Sequence, residues 1–467
     1  MRKLLFLSIL LTVCSALFAE DGSSRRTAFP GGKCFLYRVT LKDKAGNGYS
    51  LQNPEEFLSL RAIERRQRQR LPLDSTDLPV SAKYVEAVGV KGVSVVGKSK
   101  WNNSLLVSCA KPSAMDRVMK LPFVSGVKLV FSSPKLYETS ARQSFRKEFQ
   151  EWDTLSHHPY GITKDQLGSL NGIRLHDAGY RGKGMVIAVL DAGFMNVDKI
   201  PAFHRLKLVG LRDFVIPKSP NLFQEMEHGT KVLSVMAVNQ PDVYVGSAPQ
   251  ASYMLLRTEA HQTESLAEED FWTQAVEYAD SAGVDVINSS LGYHEYDDKA
   301  TSYHYWDLDG RQALISRMAS LLASKGIVLV NSAGNEGMGA WKKINVPADA
   351  ADILTVGAVT PEGVNAPFSS VGPSADGRVK PDVVAFGSPT ALLSGRGTII
   401  NDIGTSFSAP LVAGLVACLW QALPGKSARE IMELVRQSGS NTLHPDNIYG
   451  YGIPDFWKAL QAGKKLK

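Results

Sequence analysis

Residues 404–423 read GTSFSAPLVAGLVACLWQAL, a glycine–threonine loop that delivers a serine to the start of a long apolar run. The run approaches the length of a membrane span, but Ser408, Pro410 and Gln421 interrupt it. A helix that is apolar on every side belongs instead at the centre of a large α/β core. The segments upstream fit such a core. Short apolar runs at 185–190, 253–257, 284–288, 327–331 and 353–356 alternate with helical patterns such as 266–282 and 312–325. That alternation predicts a doubly wound α/β domain with a mostly parallel sheet, helices covering both faces.

The first part of the chain has a different rhythm. Strand patterns at 33–40, 93–96, 105–108 and 124–131 enclose helical patterns at 54–70, 81–88 and 113–121. The order strand, helix, strand, strand, helix, strand predicts a small ferredoxin-like α+β domain. Four segments result: an export signal at 1–19, the α+β domain at 28–135, a linker at 136–160 and the α/β domain at 161–467. The signal has Arg2 and Lys3 ahead of an apolar stretch, with Ala16 and Ala19 near a cleavage point. It predicts an exported protein, extracellular or in the cell envelope. Val13 stands where a lipid-attachment site at Cys14 would prefer a small residue, which argues against an anchor there.

Composition excludes several classes. Of the 467 residues, 44% are hydrophobic and 21% charged, an ordinary globular balance. A net charge of +6 without a concentrated basic face argues against nucleic acid as a partner. The densest basic run, RAIERRQRQR at 61–70, mixes Arg with Glu and Gln and reads as a solvated helix face. The acidic cluster at 264–270 reads as a solvated helix start. Cys34, Cys109 and Cys418 are scattered and show neither disulfide nor metal spacing.

The residues that carry chemistry lie in the second domain. Asp191 closes the apolar run VIAVLD, at the strand end where open α/β sheets place their ligands. His228-Gly229-Thr230 opens an amphipathic helical stretch. Ser406 stands at a helix N-terminus, whose unpaired N–H groups favour an oxyanion. Asn335 follows the run VLVNSAG and can offer a side-chain N–H to the same charge. Taken singly, each has a plain structural reading as a cap or turn residue. Together they supply a nucleophile, a base, an orienting carboxylate and an oxyanion donor.

In this order the four segments resemble the subtilisin-like serine proteases over roughly residues 160–460. Asp191-Ala192-Gly193 resembles the aspartate box, with alanine where Thr or Ser is usual, and His228-Gly229-Thr230 the histidine box. Ser290-Leu291-Gly292 resembles the substrate-binding strand and Ala333-Gly334-Asn335 the oxyanion segment. Gly404-Thr405-Ser406-Phe407-Ser408-Ala409-Pro410 resembles the serine box, with Phe407 where methionine is commoner. The resemblance implies hydrolysis of proteins or peptides through an Asp191–His228–Ser406 triad. It implies substrate binding by Ser290, Leu291, Gly292, Ala333 and Gly334. Small residues at 292, 333 and 334 would leave a groove for a large apolar side chain. It implies no required cofactor, although relatives often hold structural calcium. No Asp-rich loop here has convincing calcium spacing, the run Asp307-Leu308-Asp309-Gly310 being too short. The first domain resembles, by element order and position alone, the propeptides that cap such enzymes as intramolecular inhibitors. Self-cleavage is then expected within 136–160. A catalytically dead binding protein is the competing class, and the intact Asp191, His228, Asn335 and Ser406 oppose it.

Overall fold

The computed structural model describes residues 34–133, 158–217, 222–261 and 263–465. The export signal, Cys14 and the linker up to residue 157 lie outside them.

The large sheet has seven strands, all parallel. From one edge to the other they run Val383–Phe386, Leu354–Val359, Val328–Ser332, Val286–Ser289, Val186–Asp191, Ser252–Arg257 and Lys207–Asp213. Val186–Asp191, Val328–Ser332 and Leu354–Val359 are buried along their whole length because helices cover both faces. The five expected strands are present, displaced by at most a few residues at their ends. The two edge strands escape the sequence pattern. Lys207–Asp213 carries Leu208, Val209 and Leu211, but Gly210 breaks the short run and these side chains are exposed, so it shows neither alternation nor a continuous core pattern. Val383–Phe386 spans four residues behind Lys380-Pro381-Asp382, which reads as a turn.

Chain order around Val186–Asp191 places the active end. After this strand the chain builds outward on one side, with Ser252–Arg257 as its neighbour. It then crosses to the other side at Val286–Ser289. The carboxyl end of Val186–Asp191 is therefore a topological switch point, where the connections diverge and leave a crevice. On one face of the sheet lies the helix Thr405–Ala422, buried from Thr405 to Trp420. It is a core helix despite its membrane-like length.

The first domain forms a four-stranded antiparallel sheet in the order Val93–Ser99, Ser104–Cys109, Cys34–Leu41, Val124–Ser133. Leu60–Arg68, Ala82–Val88 and Met115–Val118 are its helices. This is the expected ferredoxin-like arrangement. It packs on the helix Ala267–Ala282 of the large domain, and here two expectations fail. Arg65 and Arg66 are buried, not solvated. Arg65 reaches Asp280 Oδ1 at 2.6 Å, and Arg66 reaches Asp280 at 2.8 Å and Asp77 at 3.0 Å. Lys100 completes the cluster at 3.0 Å from Asp280 Oδ2. Within the acidic cluster, Glu268, Glu269 and Asp270 are also buried, Asp270 pairing with Arg38 at 2.7 Å. Asp270 and Asp280 meet the first domain's arginines, whereas Glu268 accepts from the Ala260 and Ser265 N–H groups and Glu269 from the Tyr296 and Tyr303 hydroxyls of the large domain, and a single-helix reading can reveal neither. Glu277 fixes the approach by accepting from the Ser99 hydroxyl and from the Lys100 and Trp101 N–H groups.

Burial alone would raise the Asp280 carboxyl, but Lys100, Arg65 and Arg66 hold it below the usual carboxylate range. A depressed carboxyl contributes stability that is present above its unfolded value, ~3.9, and lost as pH falls through the folded one. Docking through Asp280 therefore persists into mild acid. Asp280→Asn leaves two buried guanidinium groups without their shared counter-charge. It is expected to destabilise the intact chain by about 3–5 kcal/mol, measured by denaturant unfolding in a Ser406→Ala background.

Candidate active site

Asp191 ends the central strand and is fully buried. Its Oδ1 accepts from the Ala192 N–H at 2.8 Å, which sets the carboxylate plane. His228 starts the helix His228–Ala237, whose Val232, Leu233, Val235 and Met236 are buried in the core. That packing anchors the first turn against the sheet. Gly229 permits the approach, since a side chain there would collide with the Gly193 carbonyl oxygen and with Asp191 Cβ at 2.9 Å. The outcome is a close pair: His228 Nδ1 lies 2.9 Å from Asp191 Oδ1 and 3.0 Å from Oδ2. With Nδ1 held by the acid, Nε2 sits on the far side of the ring. The His228 side chain keeps 35% of its surface open.

Burial disfavours the imidazolium, but the charge and hydrogen bond of Asp191 outweigh it. His228 is held above its ordinary value.

Ser406 occupies the first turn of the helix Thr405–Ala422. Pro410, one turn further on, has no N–H to give to the Ser406 carbonyl. The Ser290 hydroxyl takes that place, donating to the Ser406 carbonyl oxygen at 2.9 Å. The proline thus frees an acceptor through which the serine turn is tied to the Ser290–Gly292 segment. The Ser406 hydroxyl donates to the Ser290 carbonyl oxygen at 3.4 Å rather than to the imidazole.

Asn335 is held by the same turn. Its Oδ1 accepts from the Thr405 N–H at 2.9 Å and from the Thr405 hydroxyl at 3.0 Å. With both donors on the oxygen, the amide nitrogen is left for the cleft. Gly334 donates to Thr405 Oγ1 at 3.2 Å, and the Asn331 amide nitrogen donates to the Leu291 carbonyl oxygen at 3.1 Å.

His228, Ser406, Asn335, Ser290, Leu291, Gly292 and Gly334 line one cleft of about 370 Å³. Asp191 lies behind His228, and Ala333 is buried, its N–H paired with the Val356 carbonyl. Glu259 also lines the cleft and was not singled out from the sequence. It is one acid two residues past a strand, with no motif around it. Among the described residues, no group of three or more His, Cys, Asp or Glu side chains is placed to hold a metal. Asp307 and Asp309 do not fit a calcium loop, since their oxygens accept from the backbone N–H groups of His304, Arg311 and Gln312.

Comparison with known proteins gives the family. The model for the subtilase family, peptidase S8, matches residues 182–452. The peptidase S8 propeptide domain of Bacteroidota matches residues 36–147. Subtilisin NAT from Bacillus subtilis subsp. natto is 29% identical over 400 residues, covering 81% of this chain and 96% of its own. Subtilisin DY from Bacillus licheniformis is 30% identical over 309 residues, covering 65% of this chain and 98% of its own. The crystal structure of MycP1 with its N-terminal propeptide removed shares the fold, with a TM-score of 0.50 and 22% identity. That similarity spans 63% of this chain and 96% of MycP1. With its catalytic and propeptide domains each matched, the chain belongs to the subtilase family of serine endopeptidases.

Proposed function

We propose that this is an exported endopeptidase that hydrolyses proteins or peptides through an Asp191–His228–Ser406 triad and matures by cutting its own linker. The observation that carries the reading is the Asp191–His228 pair beside Ser406 in a single cleft. Rotation about the Ser406 Cα–Cβ bond exchanges the Ser290 carbonyl for His228 Nε2, and such contacts commonly tighten only when substrate is bound. His228 then takes the Ser406 proton as the oxygen attacks the peptide carbonyl. Asp191 fixes the imidazole tautomer and stabilises its cation. The developing oxyanion is held by the Asn335 amide and the Ser406 backbone N–H, at a helix end whose dipole favours negative charge. His228 returns the proton to the leaving amine, and water repeats the cycle on the acyl-enzyme.

The substrate adds as a strand along Ser290–Gly292, so main-chain hydrogen bonds supply affinity with little sequence demand. No cofactor takes part. The domain at 28–135 acts as an intramolecular inhibitor that stays docked on the helix Ala267–Ala282 after the linker is cut. That linker falls mostly outside the described residues, and the cut is placed within 136–160 by domain order alone.

Ser406→Ala is expected to lower turnover by about 10⁶-fold, the loss that follows removal of the serine in subtilisin. Asn335→Ala is expected to lose about 10²–10³-fold, as when that enzyme's oxyanion amide is removed. Both are read from initial rates on a casein-derived peptide. Fluorophosphonate labelling should modify Ser406, and a label mapped to another residue would sink the assignment.

His228 must be neutral to act as base, and its value lies above the ordinary one. The acid limb of kcat/KM should therefore fall above the unperturbed value of ~6.5. A rate constant across about pH 5–8 would remove His228 from the role.

N-terminal sequencing of the secreted enzyme should find a start within 136–160. A fully active chain that begins near Glu20 would refute self-processing.

A further inference from the structure

The cleft has a strongly one-sided charge that the triad does not require. Among its described lining residues there is no lysine or arginine, while Glu259 and Glu336 contribute carboxylates. Arg257, the nearest arginine in sequence to Glu259, is already engaged. Its guanidinium lies 3.0 Å from Asp213 and 3.3 Å from Glu225, and its Nε donates to the Ala192 carbonyl.

Glu259 is built into the wall rather than trailing from it. It stands two residues beyond the strand Ser252–Arg257, at the same sheet edge as Asp191. Its Oε1 accepts from the Tyr293 hydroxyl at 3.1 Å. Tyr293 is nearly fully buried and immediately follows Gly292, the last residue of the substrate-binding segment. Among the described residues Oε2 has no hydrogen-bond partner. One oxygen is thus anchored to the end of the substrate strand, and the other is free for the cleft.

Strand geometry says which substrate side chain reaches it. A peptide added along Ser290–Gly292 points successive side chains to opposite faces. The residue before the scissile bond occupies the groove between Ser290–Gly292 and Gly334–Asn335. The residue before that one points the other way, toward the wall formed by His228 and Glu259.

We propose that Glu259 selects substrates with lysine or arginine at the penultimate position before the cut, by a charge-assisted hydrogen bond from the basic side chain to its free carboxylate oxygen. This rests on the peptidase reading above and adds a substrate class to it. The surroundings of Glu259 favour a cation. Burial, then Glu264 and Asp191, push its carboxyl up to about 8, against the pull of His228 and of the Tyr293 hydroxyl. His261 lines the same cleft. In the empty cleft Glu259 holds a proton at neutral pH. An entering ammonium or guanidinium group displaces that proton, so the selection sharpens as pH rises.

The test uses the mature, self-processed enzyme and two peptides that differ only at the penultimate position, lysine against glutamine. Active sites are counted by fluorophosphonate titration. At about pH 9 the wild-type enzyme should favour the lysine peptide by roughly 10- to 100-fold in kcat/KM, the range of a charge-assisted hydrogen bond. The preference should be smaller at about pH 7. In Glu259→Gln the lysine-to-glutamine ratio should fall to near one, and Glu259→Asp should retain part of it. A wild-type enzyme that cuts both peptides equally, or a preference that survives in Glu259→Gln, overturns this inference alone. If neither peptide is cut and Ser406 takes no label, the peptidase reading falls and this inference with it. The wild-type comparison does not depend on any variant folding.

Discussion

Seven strands running in one direction impose the constraint on which the site depends. Parallel strands all end at one edge, so residues far apart in sequence arrive at a common rim without any long loop to carry them. Asp191, Glu259, Ser290 and Asn335 each follow a different strand of the sheet, and all stand at its carboxyl edge. The two helices that begin at this rim, His228–Ala237 and Thr405–Ala422, present their N-terminal turns there. A nucleophile at such a turn sits among unpaired N–H groups, and the polarity of the helix opposes positive charge. The chemistry is thus a property of the rim, sharpened by local contacts.

The sharpest of those contacts follows from a missing hydrogen bond. Pro410 would weaken most helices, but here its absent N–H lies under the Ser406 carbonyl, which Ser290 then claims. The serine turn is tied to the segment along which substrate is expected to lie. A second tie runs from Thr405 to Asn335, whose amide is orientated by two donors on its oxygen. Ser406, Asn335 and the Ser290–Gly292 segment are therefore held by one turn of one helix. An error in that turn would misplace all three.

The interior of this fold was legible in the sequence because hydrophobic periodicity reports burial in a chain's own core. The five inner strands and the central helix were found for that reason, whereas Asp191, His228, Asn335 and Ser406 stood out through their resemblance to the boxes of the subtilisin-like proteases. Lys207–Asp213 was not found, since its Leu208, Val209 and Leu211 are broken by Gly210 and exposed, and follow neither period of a buried face. Arg65, Arg66 and Glu268–Asp270 were misread for the converse reason. Arg65, Arg66 and Asp270 are buried against charge across the domain contact, while Glu268 and Glu269 are buried against N–H and hydroxyl donors of their own domain, and a polar helix face looks the same whether water or protein covers it. Glu259 left no signal at all. A single carboxylate past a strand becomes meaningful only once Tyr293 and the cleft are seen beside it.

The charged interface also bears on why the first domain is carried at all. Asp280 and Glu277 project from one helix toward the first domain. With that domain present, they are satisfied by Arg65, Arg66, Lys100 and the Ser99–Trp101 turn. An interface built from buried ion pairs gains little over hydration of its separated charges, but it strongly penalises a wrong partner, which leaves a charge unpaired. Such a surface favours register over raw affinity. It aligns the first domain on the helix Ala267–Ala282, which leads by way of Val286–Ser289 to the Ser290–Gly292 segment. The matched charges are laid around an apolar core, since Leu36, Trp101, Leu106, Val130 and Phe131 of the first domain lie in one buried cluster with Phe271 and Ala275 of that helix, so that apolar burial supplies affinity and the ion pairs fix orientation.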